Sequence, residues 1–90
     1  MKKFIIERDL PGAGNMTPEE LQAISKTSVS VMAVLGKPYT WVESFVIKDK
    51  IYCIHEAENE DVVREHSSCA SFPITWVEEV KAVISPATAE

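Results

Sequence analysis

Two helix starts, each set between β-branched runs, constrain this 90-residue chain more than anything else in it. The first is "TPEE". Thr17 can cap, Pro18 suits the first helical position, and Glu20 stands three residues after the cap, as in a capping box. Leu21, Ile24, Val31 and Leu35 then recur at helical spacing with Ser28 completing the stripe, until Gly36 and Pro38 end it. The second start is Asn59, with Glu60 and Asp61 in a first turn whose dipole favours acidic groups, and Phe72-Pro73 stops that helix. Ahead of the first helix lie a strand, "FIIE" (4–7), and the loop "DLPGAGN" (9–15). Between the helices, "YTWVESFVI" and "KIYCIHEA" meet about a polar Lys-Asp pair and read as a hairpin. "VEEVKAVI" (77–84) supplies a last strand, and "SPATAE" (85–90) is a tail.

The resulting order, β-α-β-β-α-β, predicts one ferredoxin-like domain spanning residues 1–90, an α+β sandwich. Its four-stranded antiparallel sheet carries both helices on one face. The expected strand order is 4-1-3-2, with the first and third strands as parallel neighbours. The uncovered face of such a sheet is ordinarily polar. Here a two-residue turn places Trp41, Phe45, Ile47, Tyr52 and Ile54 on one face, and Val42, Val46, Ile51 and Cys53 on the other. Two apolar faces need a cover on both sides. A homodimer joined sheet to sheet, as in dimeric α/β-barrel proteins, supplies it most simply.

Charge and composition remove several function classes. A net charge of -5 argues against nucleic acid, whose phosphates want a basic face. No apolar run approaches the ~20 residues of a membrane span. "MKKFIIERD" has too short an apolar stretch for a signal peptide, and two cysteines without an export signal point to free thiols in a reducing cytoplasm. "PGAG" lacks the lysine and spacing of a phosphate loop, and no Ser-His-Asp set is apparent, so no catalytic centre stands out.

Cys53, His55, His66 and Cys69 gather every cysteine and histidine of the chain into one short stretch. Cys53 and His55 share a strand face, and His66 and Cys69 share a helix face. The pattern C-x-H…H-x-x-C is nonetheless not a known zinc spacing, and an inward cysteine on a strand is ordinary core filling. The His66–Cys69 pair can lower a thiol pKa, which is the case for redox chemistry. With the first strand parallel to the third, its acidic end comes beside His55, which makes His55, His66 and Glu7 the metal-ligand set. The competing reading is a small-molecule or enzymatic pocket on the aromatic sheet face, lined by Trp41, Glu43 and Tyr52.

Taken together, "FIIERDLPGAG", "TPEELQAIS", "WVESFVIKDKIYCI", "VREH", "FP" and "VISPATAE" resemble a family of small bacterial proteins now named for a nickel-binding member. The resemblance covers nearly the whole chain and implies a ferredoxin-like fold, a dimer and a divalent transition metal, nickel first. The nickel-binding members are richer in histidine on the first and second strands and second helix. Here Glu7, Glu43 and Phe72 stand at the matching places, and His55 stands where many relatives have tyrosine. Only His66, in "VREH", sits close to the family's pattern.

Overall fold

The computed structural model describes residues 1–90 in full, and its elements follow from local chemistry. Strand β1 (Lys2–Asp9) leads through a 3₁₀ turn (Ala13–Asn15) into helix α1 (Pro18–Leu35). The capping box forms as its residues require: Glu20 N–H donates to Thr17 Oγ1 at 3.1 Å and Thr17 N–H to Glu20 Oε1 at 3.0 Å. Gly36 ends α1 at φ 63°, a left-handed conformation that glycine takes without strain. The hairpin β2 (Tyr39–Val46) and β3 (Lys50–Ala57) follows, then helix α2 (Glu60–Ala70) capped by Asn59, and strand β4 (Trp76–Glu79). The order is β-α-β-β-α-β, as expected.

The sheet order is β2-β3-β1-β4, which is the 4-1-3-2 order read from its other edge. All pairings are antiparallel, including β1 with β3, where parallel neighbours were expected. The reason is topological. The α1 crossover returns the chain so that β2 runs as β1 does, and the hairpin turn then reverses β3. Phe4 therefore pairs with His55, while Glu7 pairs with Tyr52.

On β1, Phe4, Ile6 and Arg8 face the helices; on β3, Ile51, Cys53, His55 and Ala57 do the same. The hairpin turn has the expected two residues, Ile47 N–H reaching Lys50 O at 2.9 Å. Pairing then runs regularly from Val46↔Ile51 to Glu43↔Ile54, but Trp41 comes next, opposite His55. The extra residue, Val42, is a β-bulge, and it reverses the face of everything before it. Trp41 thus leaves the face of Phe45, Tyr52 and Ile54 and joins His55 beneath the helices.

Strand β4 is shorter than the expected 77–84. It pairs with β1 from Glu7 back to Phe4, and Val80 N–H makes the last bond, 2.8 Å to Lys3 O. Beyond that β1 has no more backbone to offer, and residues 81–90 are exposed, with a 3₁₀ turn at Pro86–Ala89.

The core is small: Phe4, Ile6, Ala13, Ile51, Cys53, Ala57, Val62, Val63 and Val77. The two helices contribute unequally to it. Of eleven residues, α2 buries Val62, Val63, His66 and Ser67, whereas α1 buries only Ser28 of eighteen. The segment before α1 is fixed to the hairpin turn instead. Leu10 N–H and Gly14 N–H reach Asp49 O and Lys48 O at 3.0 Å, and a Cβ on Gly14 would stand 3.0 Å from Lys48 Cα. So the approach to α1 is held by the hairpin turn, its middle is held to α2 through Ser28 and His66, and the helix stands off the sheet.

Ile6 is fully enclosed at the centre of the core. Ile6→Ala is expected to cost about 2–5 kcal/mol in urea unfolding, with an unchanged slope. A cost under about 1 kcal/mol would place the centre of the core elsewhere.

Candidate functional site

The stand-off of α1 leaves a cavity of about 430 Å³ between that helix, the inner faces of β2 and β3, and the α2–β4 connection. Its apolar walls include Ile24 of α1, Trp41 of β2 and Phe72 of the connection; Arg8 and His55 are polar points in it, with the hydroxyls of Ser25, Thr27, Ser28, Ser44 and Ser71. Trp41 is there because of the bulge, and its indole N–H is already donated to Ser44 Oγ at 2.9 Å.

Arg8 is 4% exposed. Its Nη1 donates to Ser67 Oγ at 3.0 Å and to Pro73 O at 2.9 Å, and Nε points at Cys53 Sγ, 3.4 Å away. The guanidinium also lies over the Phe72 ring, 5.4 Å from its centre. All of these partners are neutral. The ion pairs of the chain join Lys37 to Glu65, Lys50 to Glu7 and Asp9, Arg64 to Glu60, and Lys81 to Glu79, and none includes Arg8. A buried cation without a counter-charge is costly, so its presence beside a cavity is informative.

Tyr39, His55 and His66 form an aromatic group behind the cavity wall. Tyr39 stacks on His66 with centroids 4.8 Å apart, and His55 meets the His66 ring edge-on at 5.4 Å. Burial raises the Tyr39 pKa, so the phenol keeps its proton, and its Oη is hydrogen-bonded to His55 Nδ1. His55 Nε2 has no hydrogen-bond partner within the chain. His66 Nε2 lies 3.1 Å from Ser28 O; because a carbonyl only accepts, Nε2 carries the hydrogen. Its Nδ1 is buried with no partner. Both imidazoles are held neutral. Burial is the main cause for each, and the Arg8 charge adds to it, bringing the His55 pKa down to about 3.

The sequence-derived candidates divide between the two faces of the sheet. His55 and His66 do come together. Glu7 does not join them, since the antiparallel register puts it on the open face, where Lys50 Nζ donates to it at 2.9 Å and Tyr52 Oη at 3.0 Å. The Lys50 bond holds the Glu7 carboxyl below its ordinary pKa. Of the alternative trio, Tyr52 and Glu43 stay on the open face, while Trp41 lies on the inner one. Cys53 is buried beside Arg8, but Cys69 is exposed, so the four-ligand cluster does not assemble. No three His, Cys, Asp or Glu side chains are grouped to hold a metal ion. Two imidazoles beside a fixed guanidinium do not by themselves make a closed shell for nickel or zinc. Arg8 and Tyr39 were missed as site residues. Arg8 had a signal, since it continues the inward alternation Phe4-Ile6-Arg8.

The chain is a ferredoxin-like sandwich with a cavity between α1 and the sheet. A family model described as "Nickel responsive protein SCO4226-like" matches residues 4–80, and the chain belongs to that family. The solved structures include the crystal structure of SCO4226 from Streptomyces coelicolor A3(2), which matches with a TM-score of 0.77 at 15% sequence identity. The match covers 91% of this chain and 99% of that one, and at this identity it shows a shared fold. No curated protein matches the chain. No helix is long and apolar enough to cross a membrane.

The two neutral histidines set a pH dependence. Their folded pKa values lie below the ordinary 6.5, so the unfolded chain binds more protons as pH falls beneath that value. Stability is therefore full above pH 6.5 and declines toward the His55 value of about 3. Between pH 6.5 and 5 ordinary carboxylates stay ionised, and urea unfolding should lose on the order of 1 kcal/mol per pH unit for His55, with His66 adding in the same direction. His55→Gln should make that decline shallower, and a flat profile in the unaltered chain would mean the imidazoles are charged in the fold.

Proposed function

We propose that this chain is a small-molecule-binding protein whose ligand occupies the cavity beneath α1. The observation that supports the reading most is the stand-off itself: α1 buries only Ser28, over a space of about 430 Å³. That volume lies in the range of roughly 300–1,000 Å³ typical of small-molecule sites. In a domain with so small a core, space left unfilled forgoes packing that a ligand restores. The reading keeps the sequence-derived alternative of an aromatic pocket but moves it to the helix side.

Trp41 reports on the site directly. In a Trp76→Phe background it is the single tryptophan, and titration with indole-free aromatic probes such as benzyl alcohol should change its emission saturably. Ile24→Phe, which fills the space, should abolish the change. An emission that ignores every probe would mean that the cavity is closed in solution.

The family description supports a second reading, a divalent transition metal, nickel first, held by His55 and His66. Each ring has one nitrogen anchored and one left over, the arrangement that orients an imidazole ligand. Donors beyond the pair would come from outside this chain, with Glu7 remaining on the other face. After chelator treatment, nickel under this reading raises the melting midpoint saturably, and His66→Ala removes the rise. No shift with nickel, zinc, cobalt or copper ions overturns it.

We also propose that the open face is covered by a second copy of the chain. Phe45 and Trp76 are 52% and 36% exposed there, and Ile5, Tyr52 and Ile54 are half-buried with no layer above them. Light scattering should give twice the 10.0 kDa chain mass, and Phe45→Glu should halve it. The free thiols of Cys53 and Cys69 fit a reducing compartment, and the cytoplasm is the proposed location.

A further inference from the structure

Arg8 is the feature of the cavity that an uncharged ligand leaves unexplained. A guanidinium has five N–H donors. Three are engaged, one on Nε and two on Nη1, and all their acceptors are neutral. The two hydrogens on Nη2 remain. The nearest charged alternatives are absent as well: Glu7 is committed to Lys50 and Tyr52 on the far face, and no acidic side chain lines the cavity. The site therefore holds one fixed positive charge in apolar surroundings. Nothing else there adds to it, because the other basic side chain, His55, is a buried neutral ring and the remaining polar groups are hydroxyls and a thiol.

We infer that the cavity takes a small organic monoanion, a carboxylate with an apolar body, whose carboxylate accepts from Arg8. The inference rests on the cavity reading above and names the chemistry of its ligand. A single guanidinium matches a single negative charge. A phosphate dianion would leave one charge uncompensated in a low-dielectric space. An inorganic anion would leave the volume beside Trp41, Ile24 and Phe72 empty. The carboxylate suits the donor in another way, since a planar guanidinium and a planar carboxylate form short, charge-assisted bonds. Arg8 is also well supported for the task. Ser67, Pro73 and the Phe72 ring fix its head group, so little side-chain entropy is lost when the anion binds.

The test compares phenylacetate with phenylacetamide, nearly equal in shape and different in charge, by calorimetry and by Trp41 emission in the Trp76→Phe chain. Phenylacetate should bind on the order of tenfold tighter or more, the range of a charge-assisted hydrogen bond. Arg8→Gln should erase that preference, and Arg8→Lys should restore part of it. Equal binding of acid and amide to the chain with Arg8 intact overturns the inference while leaving the cavity reading standing. Tighter binding of benzylphosphonate than of phenylacetate overturns the assignment of a monoanion. Failure of all three probes to bind overturns the cavity reading and the inference with it. The comparison on the intact chain decides the matter even if Arg8→Gln does not fold.

Discussion

The buried guanidinium of Arg8 is the interaction on which the rest of the inner face depends. From the end of β1 it reaches Ser67 on α2, the carbonyl of Pro73 on the following connection, and the sulfur of Cys53 on β3. One side chain therefore ties two central strands to the second helix and to the segment that leads into β4. It also sets the electrostatics of the neighbourhood. A fixed positive charge beside two imidazoles works with burial to keep both neutral. Neutral rings in turn leave the guanidinium as the only charge in the cavity, so the same residue organises the fold and decides what kind of ligand the space suits.

The sheet separates two kinds of polar arrangement. On the inner face, charge is unbalanced and enclosed, and the hydrogen bonds end on neutral oxygens and sulfur. On the open face, Glu7, Lys50, Asp9 and Tyr52 form an ion-paired set in which Lys50 serves both carboxylates. The exposed Lys50–Asp9 pair contributes little to stability, while Glu7 is itself buried. The contrast also bears on metal binding. The carboxylate that would complete a site with His55 and His66 belongs to this ion-paired set, with the thickness of the sheet between it and the imidazoles. A family described as nickel responsive thus includes a chain whose own inward donors are two neutral histidines beside a cation. Charge favours an anion there.

Much of the fold was legible because its signals are local. Thr17 with Glu20, Asn59 with its acidic first turn, and Gly36 each act within a few residues, and each forms the structure its chemistry predicts. The alternation of β3 placed Cys53 toward the interior, and helical spacing after Val62 and Val63 did the same for His66. The errors arose where one segment's environment depends on another. Trp41 changed face because Val42 is accommodated as a bulge, and nothing in "YTWVESFV" marks which residue the ladder will skip. Val83 and Ile84 are β-branched, yet residues 81–84 form no strand, because the β1–β4 ladder ends at Glu79 and the Val80 bond to Lys3. Glu7 was placed beside His55 by a direction error, which a count of chain reversals through the crossover and hairpin would have removed.

By itself the sequence determined the elements, their order and the sandwich they build, because caps, breakers and alternation act over a few residues whatever the remainder of the chain does. It also determined that His66 would face the core, since its helical spacing from Val62 and Val63 sets that side. Only the tertiary structure decided that Arg8 has no acidic partner, that His55 and His66 meet behind Tyr39, and that α1 stands far enough from the sheet to leave a cavity. Those are properties of distances between segments remote in sequence. They depend on strand direction, on one bulge, and on how the loop before α1 packs against the hairpin turn, where no local pattern of residue types carries the information.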